Sequence, residues 1–339
     1  MRESRGIIFN LLGIILIVML FVTGCGKKEE TNPNSEQNQV EKTKDEKVLV
    51  YTSLFPIYDF TRKIGGEHVT VKSIVPTGAE PHDFEPSPKD MAELNRAKLF
   101  IYNGAGYETW IEKVTQNLDQ AKTKPVDASQ GVQLLDAAKE EEPSSHDEHD
   151  TEKGSAEKHE DDHGVYDPHI WLDPMRAKQQ AENIRKALVE VDPTHKDEYQ
   201  ANYDKLATEL ASLDKEYKDA IGKAQKKEFV TSHRSFAYLA EHYGLEQIAV
   251  SGLSPSEEPS QRDLSNLIDT VKKHNIKYVG FEELVQSKVA QAVQRETGAE
   301  AIILNPIENV TKEQFAAGKT YIDLMKENLE TLKKMLEEK

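Results

Sequence analysis

Glu85-Pro86-Ser87-Pro88-Lys89-Asp90-Met91 recurs as Glu258-Pro259-Ser260-Gln261-Arg262-Asp263-Leu264. Both copies carry the same local instructions. A serine (Ser87 or Ser260) stands where a helix N-cap belongs, and an acid (Asp90 or Asp263) follows three residues on, the reciprocal pattern of a capping box. Pro88 takes the first helical position, where its missing N–H costs nothing. Each predicted helix leads into an apolar run of strand character, residues 98–102 after the first and 277–281 after the second. The shared order of cap, helix and strand points to a duplicated unit, and so to two lobes of one kind.

Further strand candidates lie on either side. In the first half they are residues 48–52 and the apolar set Val69, Val71, Ile74 and Val75; in the second, residues 228–231, 247–250 and 300–304. Strands alternating with helical segments predict an α/β protein with mainly parallel sheets. Between the halves, residues 192–224 hold no Gly or Pro after Pro193 until Gly222, and Tyr199, Tyr203, Leu206, Leu210, Leu213 and Tyr217 recur at helical spacing. Asp192 can cap this helix and Pro193 can start it. Some thirty residues at ~1.5 Å each make a rigid rod of roughly 45 Å, able to join two lobes. The predicted division is an N-terminal lobe over 47–191, a linking helix over 192–225 and a C-terminal lobe over 226–339.

The N-terminus gives an address. Arg2 and Arg5 precede a run over 7–22 that is apolar except for Asn10 and Gly13, followed by Thr23-Gly24-Cys25. These are the parts of a secretory signal over residues 1–24. The run is short for a spanning helix, which needs roughly 20 apolar residues. Cys25 is the one cysteine of the chain. Its setting resembles the lipobox of a bacterial lipoprotein, which implies acylation of Cys25 and a membrane anchor on the extracytoplasmic face; an uncleaved anchor is the alternative. Residues 25–46 read as a flexible polar tether. The formal net charge of −17 argues against nucleic-acid binding, which needs a basic footprint.

Histidine is concentrated in one place. Residues 139–169 hold five of the eleven: His146, His149, His159, His163 and His169. Val165 is the only aliphatic residue larger than alanine before His169, so the stretch 139–166 cannot build a core and is expected as an acidic loop. Imidazoles among carboxylates raise a metal hypothesis. Irregular spacing makes His146, His149, His159 and His163 an accessory low-affinity set, with a plain solvated loop as the alternative.

Three other histidine segments look ordered. His82 lies in Glu80-Pro81-His82-Asp83-Phe84-Glu85-Pro86, His169 in Asp167-Pro168-His169-Ile170-Trp171-Leu172-Asp173-Pro174, and His233 in Thr231-Ser232-His233-Arg234. His82 and His233 each follow a strand candidate, where open α/β sheets place ligand groups. Together with the repeat, these strings resemble the zinc- and manganese-binding lipoproteins of bacterial ABC importers, over essentially the whole chain beyond residue 48.

The resemblance implies two βα lobes joined by one long helix, with a metal held in the interlobe cleft by His82, His169 and His233. It implies a carboxylate as fourth ligand. Asn305 stands where many members have aspartate, and Glu308, three residues later, is the expected ligand; Glu282 and Glu283 are the fallback. Three imidazoles and one carboxylate suit Zn²⁺, whereas Mn²⁺ favours more oxygen; manganese remains the alternative cargo. Asp83, Asp167 and Asp173 are candidates to hold imidazole N–H groups. The expected role is capture of Zn²⁺ by a monomeric, lipid-anchored protein and its delivery to a membrane permease driven by a cytoplasmic ATPase. In the expected mechanism, closure brings His233 and Glu308 to His82 and His169. A zinc-dependent hydrolase and a surface adhesin are alternatives of other classes. No His-Glu-x-x-His or Gly-x-Ser-x-Gly string supports the hydrolase.

Overall fold

The structure, a computed structural model, describes residues 46–137, 166–254, 261–284 and 288–337. Cys25 and the tether, the tract with His146, His149, His159 and His163, and the second cap at Ser260 lie outside the described residues. Among the described residues no helix is long and apolar enough to cross a membrane.

Two four-stranded sheets form. The first contains β1 (Val48–Thr52), β2 (Val69–Ser73), β3 (Leu99–Tyr102) and β4 (Lys124–Asp127) in the order β2-β1-β3-β4. The second contains β5 (Glu228–His233), β6 (Glu246–Ser251), β7 (Tyr278–Phe281) and β8 (Glu300–Ile303) in the order β6-β5-β7-β8. Among the described residues every pairing within these two sheets is parallel. The same winding occurs twice, as the sequence repeat implies. β4 escaped the sequence reading because Lys124-Pro125-Val126-Asp127 is a half-buried edge strand with a proline, a place where a missing ladder N–H is tolerated.

The helices are α1 (Phe55–Gly65), α2 (Pro88–Leu94), α3 (Ile111–Asn117), α4 (Pro174–Val191), α5 (Lys196–Ile221), α6 (Ala237–Tyr243), α7 (Gln261–Lys273), α8 (Lys288–Thr297), α9 (Lys312–Ala316) and α10 (Tyr321–Met335). The capping box at α2 is formed: Asp90 N donates to Ser87 Oγ and Ser87 N to Asp90 Oδ2. At α5 the expected start is displaced. Residues Pro193–His195 make a 3₁₀ turn, and the helix begins at Lys196. Asp192 does not cap it, because its Oδ2 is taken by the ring of His195 and the hydroxyl of Tyr199, both at 2.6 Å.

The linking helix is not a bare rod. The 18-residue α4, which the sequence reading left unassigned, lies along α5. Tyr199, Leu206, Leu210, Leu213 and Tyr217 of α5 are buried as expected; Tyr203 is half-buried. Each such burial contributes roughly 1.5–3 kcal/mol. One continuous apolar core runs from Val50, Ile57 and Phe60 through Leu188 and Leu210 to Phe229, Leu324 and Leu332. A second core backs the first sheet around Phe100 and Trp110, and a third backs the other sheet around Val230 and Val271.

Buried polar bonds reinforce the shared core. Trp171 Nε1 donates to the Pro306 carbonyl at 2.7 Å, Tyr321 Oη to the Trp171 carbonyl at 2.5 Å, and Tyr321 N to Asp59 Oδ2 at 3.1 Å. Strand order reverses beside β1 in one sheet and beside β5 in the other, so a crevice opens at the carboxyl ends of β1 and β3 and of β5 and β7.

Candidate metal centre

His233 is the last residue of β5, at one of these reversal points, and Glu282 follows the end of β7 beside it. The His233 ring is buried, with Nδ1 2.5 Å from Glu282 Oε1. Ser232 Oγ donates to the same carboxylate at 3.1 Å. The His233 carbonyl accepts from Thr231 Oγ1 and Gln247 Nε2, which fixes the strand end.

His169 precedes the 3₁₀ turn Ile170–Leu172 and is fully buried. Asp167 Oδ1 accepts from both His169 N (2.8 Å) and Nδ1 (2.9 Å). The neighbouring Pro168 carbonyl accepts from Asn103 Nδ2 at 2.9 Å, and Asn103 Oδ1 accepts from Gln180 Nε2. Asn103 belongs to the turn after β3, whose amides are gathered by a buried carboxylate: Asn103 N and Gly104 N donate to Glu108 at 2.8 and 3.0 Å.

His82 lies between β2 and α2, its ring packed 4.5 Å from that of Tyr107. The backbone N–H of His82 donates to Glu80 at 3.1 Å. Burial first, and then the charge of Glu308, pushes the Glu80 carboxyl up to about 8.

Glu308 is placed by a bent backbone. Ile307 is buried at φ 59°, a conformation that costs a β-branched residue about 1–3 kcal/mol. Asn305 holds this bend, its Oδ1 accepting from Ile307 N at 2.7 Å, and Asn305 is gripped at both ends by Asn328. The residue that cannot supply a ligand charge therefore turns the chain so that Glu308 faces inward. The Glu308 carbonyl accepts from Phe55 N at 3.0 Å, and Asn309 Nδ2 donates to the carbonyls of Pro76 and Ala79. Glu308 is thus fastened to the first lobe and to the segment carrying His82, rather than travelling with His233 as the sequence reading expected.

The four side chains converge. His82 Nε2, His169 Nε2 and His233 Nε2 stand 3.2, 3.3 and 3.5 Å from one atom, Glu308 Oε1. All four ligating atoms lie within 4.8 Å of one another. A zinc-centred tetrahedron with bonds of about 2.0–2.1 Å has edges of about 3.3–3.4 Å. The three nitrogen–oxygen separations lie within about 0.2 Å of that figure.

Electrostatics prepares the same atoms. Asp167 and Glu282 each set a carboxylate oxygen, an acceptor, against a ring Nδ1, so the two Nδ1 atoms donate and the two Nε2 atoms face inward. His169 Nε2 and His233 Nε2 are buried without a hydrogen-bond partner. A proton and a cation compete for these positions. Burial opposes charge on His233, but Glu282 and Glu308 outweigh it and raise its pKa to about 10. On His169, burial is likewise outweighed by Asp167 and Glu308. Burial works against the Glu308 anion, yet His82, His169 and His233 hold its carboxyl well below the usual range.

Other expectations fare differently. Glu282, a fallback ligand, is engaged with His233, and Glu283 accepts from Gln314 Nε2 at 2.5 Å. Asp173 caps α4 and takes His242 Nδ1 at 2.8 Å, away from the three imidazoles. Sequence reasoning missed Glu80, Tyr107 and Glu108. Glu80 shares the His82 string and could have been found there, whereas Glu108 offered no pattern.

Comparisons with known proteins fit this geometry. A family model described as zinc-uptake complex component A, periplasmic, matches residues 50–335. The chain is 39% identical over 325 residues to the high-affinity zinc uptake system protein ZnuA of Bacillus subtilis strain 168, covering 96% of this chain and 97% of that protein. It is 38% identical over 293 residues to the zinc-binding lipoprotein AdcA of Streptococcus pneumoniae R6, spanning 86% of this chain and 56% of AdcA. Among solved structures, the Zn(II)-bound ZnuA-like domain of Streptococcus pneumoniae AdcA superposes with a TM-score of 0.72 at 35% identity, over 86% of this chain and all of that one. The laminin-binding protein Lmb of Streptococcus agalactiae, described as bifunctional with adhesin and metal transporting activity, gives 0.72 at 34% identity, with 86% and 100% covered.

Proposed function

The chain belongs to the zinc-uptake complex component A family, and from that membership and its four converging side chains we propose that it captures Zn²⁺ for uptake on His82, His169, His233 and Glu308. One observation carries the ligand assignment: three imidazole nitrogens 3.2–3.5 Å from a single carboxylate oxygen, at the edge length of a zinc tetrahedron. The donor set adds metal selectivity. Three nitrogens and one oxygen favour Zn²⁺ over Mn²⁺, which prefers more oxygen and binds most weakly in its series.

Capture replaces protons by an ion. His169 and His233 give up Nε2 protons and take the cation together with His82, while Asp167 and Glu282 keep the His169 and His233 rings oriented. One Glu308 anion against Zn²⁺ leaves a local charge of +1, which the neighbouring Glu282 softens. Four protein groups fill the four tetrahedral positions. A catalytic zinc keeps one position for water, so the arrangement supports a carrier and not a hydrolase. The loaded protein docks on a membrane permease served by a cytoplasmic ATPase. It works as a monomer on the extracytoplasmic face, anchored through acylated Cys25, and His146, His149, His159 and His163 gather ions at low affinity.

Likeness to Lmb gives an adhesin reading a basis, but no site among the described residues carries it. The zinc reading is tested by metal analysis and competition. Protein purified without chelator is expected to hold one tightly bound zinc per chain and to retain it after deletion of residues 140–164. His82→Ala, His169→Ala and His233→Ala should each abolish tight binding. Preferential retention of manganese from an equimolar mixture would refute the assignment.

A further inference from the structure

Away from the cleft, His68 ends a 3₁₀ turn, Gly66–His68, that leads directly into β2. It sits at the amino end of that strand, whereas His82 lies beyond the carboxyl end. Five strand residues alone separate the two ends by roughly 16 Å. His68 Nε2 is 2.8 Å from Glu198 Oε2 in the first turn of α5, and ligand atoms of Glu67, His68 and Glu198 all lie within 4.8 Å of one another. The His68 ring is largely covered, with 14% of the side chain exposed, because the ring of His195 stacks on it at 3.7 Å and 17°. His195 is itself held by Asp192 at 2.6 Å.

We propose that Glu67, His68 and Glu198 form a second divalent-cation site, weaker than the cleft and exchanging with solvent. Charge decides against a simple ion pair. Glu67, Glu198 and Asp192 set three carboxylates against the stacked rings of His68 and His195, so even two protonated rings, 3.7 Å apart and repelling each other, would leave one acid unbalanced. A divalent cation with neutral His68 balances Glu67 and Glu198 without placing like charges on both rings. One nitrogen and two oxygens form an open tripod whose remaining positions go to water, a set suited to Zn²⁺, Co²⁺ or Ni²⁺. His195 is a wall and not a ligand. Its plane runs nearly parallel to that of His68, and two parallel rings cannot both aim in-plane lone pairs at one ion. It fixes the His68 ring and shields one face. An ion bound here ties the turn before β2 to the start of α5, a bridge independent of the cleft ligands.

The test is anomalous diffraction at the zinc edge on crystals of the full chain soaked in millimolar Zn²⁺. The proposal expects a peak within bonding distance of His68 Nε2, lost in Glu198→Gln and in Glu67→Gln while the cleft peak stays unchanged. A cleft peak with none beside His68 overturns it, as does a His68 peak of equal height in both variants. In solution, Ni²⁺ added to the zinc-saturated protein should broaden the His68 ring resonances, with about tenfold more ion required in Glu198→Gln. Equal broadening in variant and parent would show that Glu198 holds no ion and overturn the proposal.

Discussion

Glu108→Gln tests how the buried turn behind His169 is held. Glu108 is 3% exposed and accepts from two backbone amides of that turn. Burial pushes its pKa from 4.5 up to about 7, with the hydrogen bonds from Ser53, Asn103 and Gly104 pulling against it. An acid whose folded value lies above its unfolded value binds its proton more tightly when folded. Its contribution is therefore full below pH 4.5, falls as pH rises towards 7, and is level above that. A rise of some 2.5 units is about 3 kcal/mol lost across this window. Glutamine stays neutral throughout, so the variant should lack that part of the pH response. Urea unfolding followed by the buried Trp110 and Trp171, with chelator present, at pH 4.5 and pH 8 supplies the four stabilities. The wild-type loss between these pH values should exceed the variant's by about 3 kcal/mol, other titrating groups cancelling in the comparison. Equal losses, or a larger loss in the variant, would refute the reasoning.

Zinc binding should release protons: with His233 raised to about 10, calorimetry at pH 7 in buffers of different ionisation heat should find at least about one proton released per ion. Apparent zinc affinity should accordingly rise by about tenfold per pH unit between pH 6 and 8 from this ring alone, and a flat profile would count against the charged pair. Glu308→Ala should weaken zinc binding at least about a hundredfold, since it removes the proposed carboxylate ligand, whereas Glu283→Ala, which removes one partner of Gln314, should leave it unchanged in chelator competition. Tyr321→Phe orphans the buried Trp171 carbonyl and should cost about 1–3 kcal/mol in urea unfolding.

What was legible in the sequence follows from what each signal depends on. The capping box at Ser87 and Asp90 is a local instruction, and the repeat of strand, cap and helix gave the two-sheet architecture without any long-range knowledge. The α5 stripe was readable because one face is buried over many turns. Asp192 misled because its carboxylate competes between a helix cap and the side chains of His195 and Tyr199, and only packing decides. β4 was hidden because an edge strand needs no apolar alternation. At the site, the three histidines stood out through their strings, but the roles of the acids did not. Whether Glu282 ligates or supports a ligand depends on how the end of β7 meets β5. That contact is made by residues 49 apart in the chain.

The bend at Ile307 fastens Glu308 to the body that carries His82 and His169. His82, His169 and Glu308 are stitched to one body by the bonds Phe55–Glu308, Asn309–Pro76, Asn309–Ala79, Trp171–Pro306, Tyr321–Trp171 and Tyr321–Asp59. At about 0.5–1.5 kcal/mol net for each bond exchanged for water, parting the lobes would cost a large share of the 5–15 kcal/mol that holds an ordinary domain folded, before the shared apolar core is counted. The segment after His233 is tied in as well, Tyr238 Oη donating to the Asp167 carbonyl at 2.6 Å and Arg234 Nη1 to the Ala137 carbonyl at 3.3 Å, so all four groups sit in one fixed cup. Unloading an ion from such a cup calls for local movement of the side chains or loops that carry them rather than for wholesale opening of the clasp.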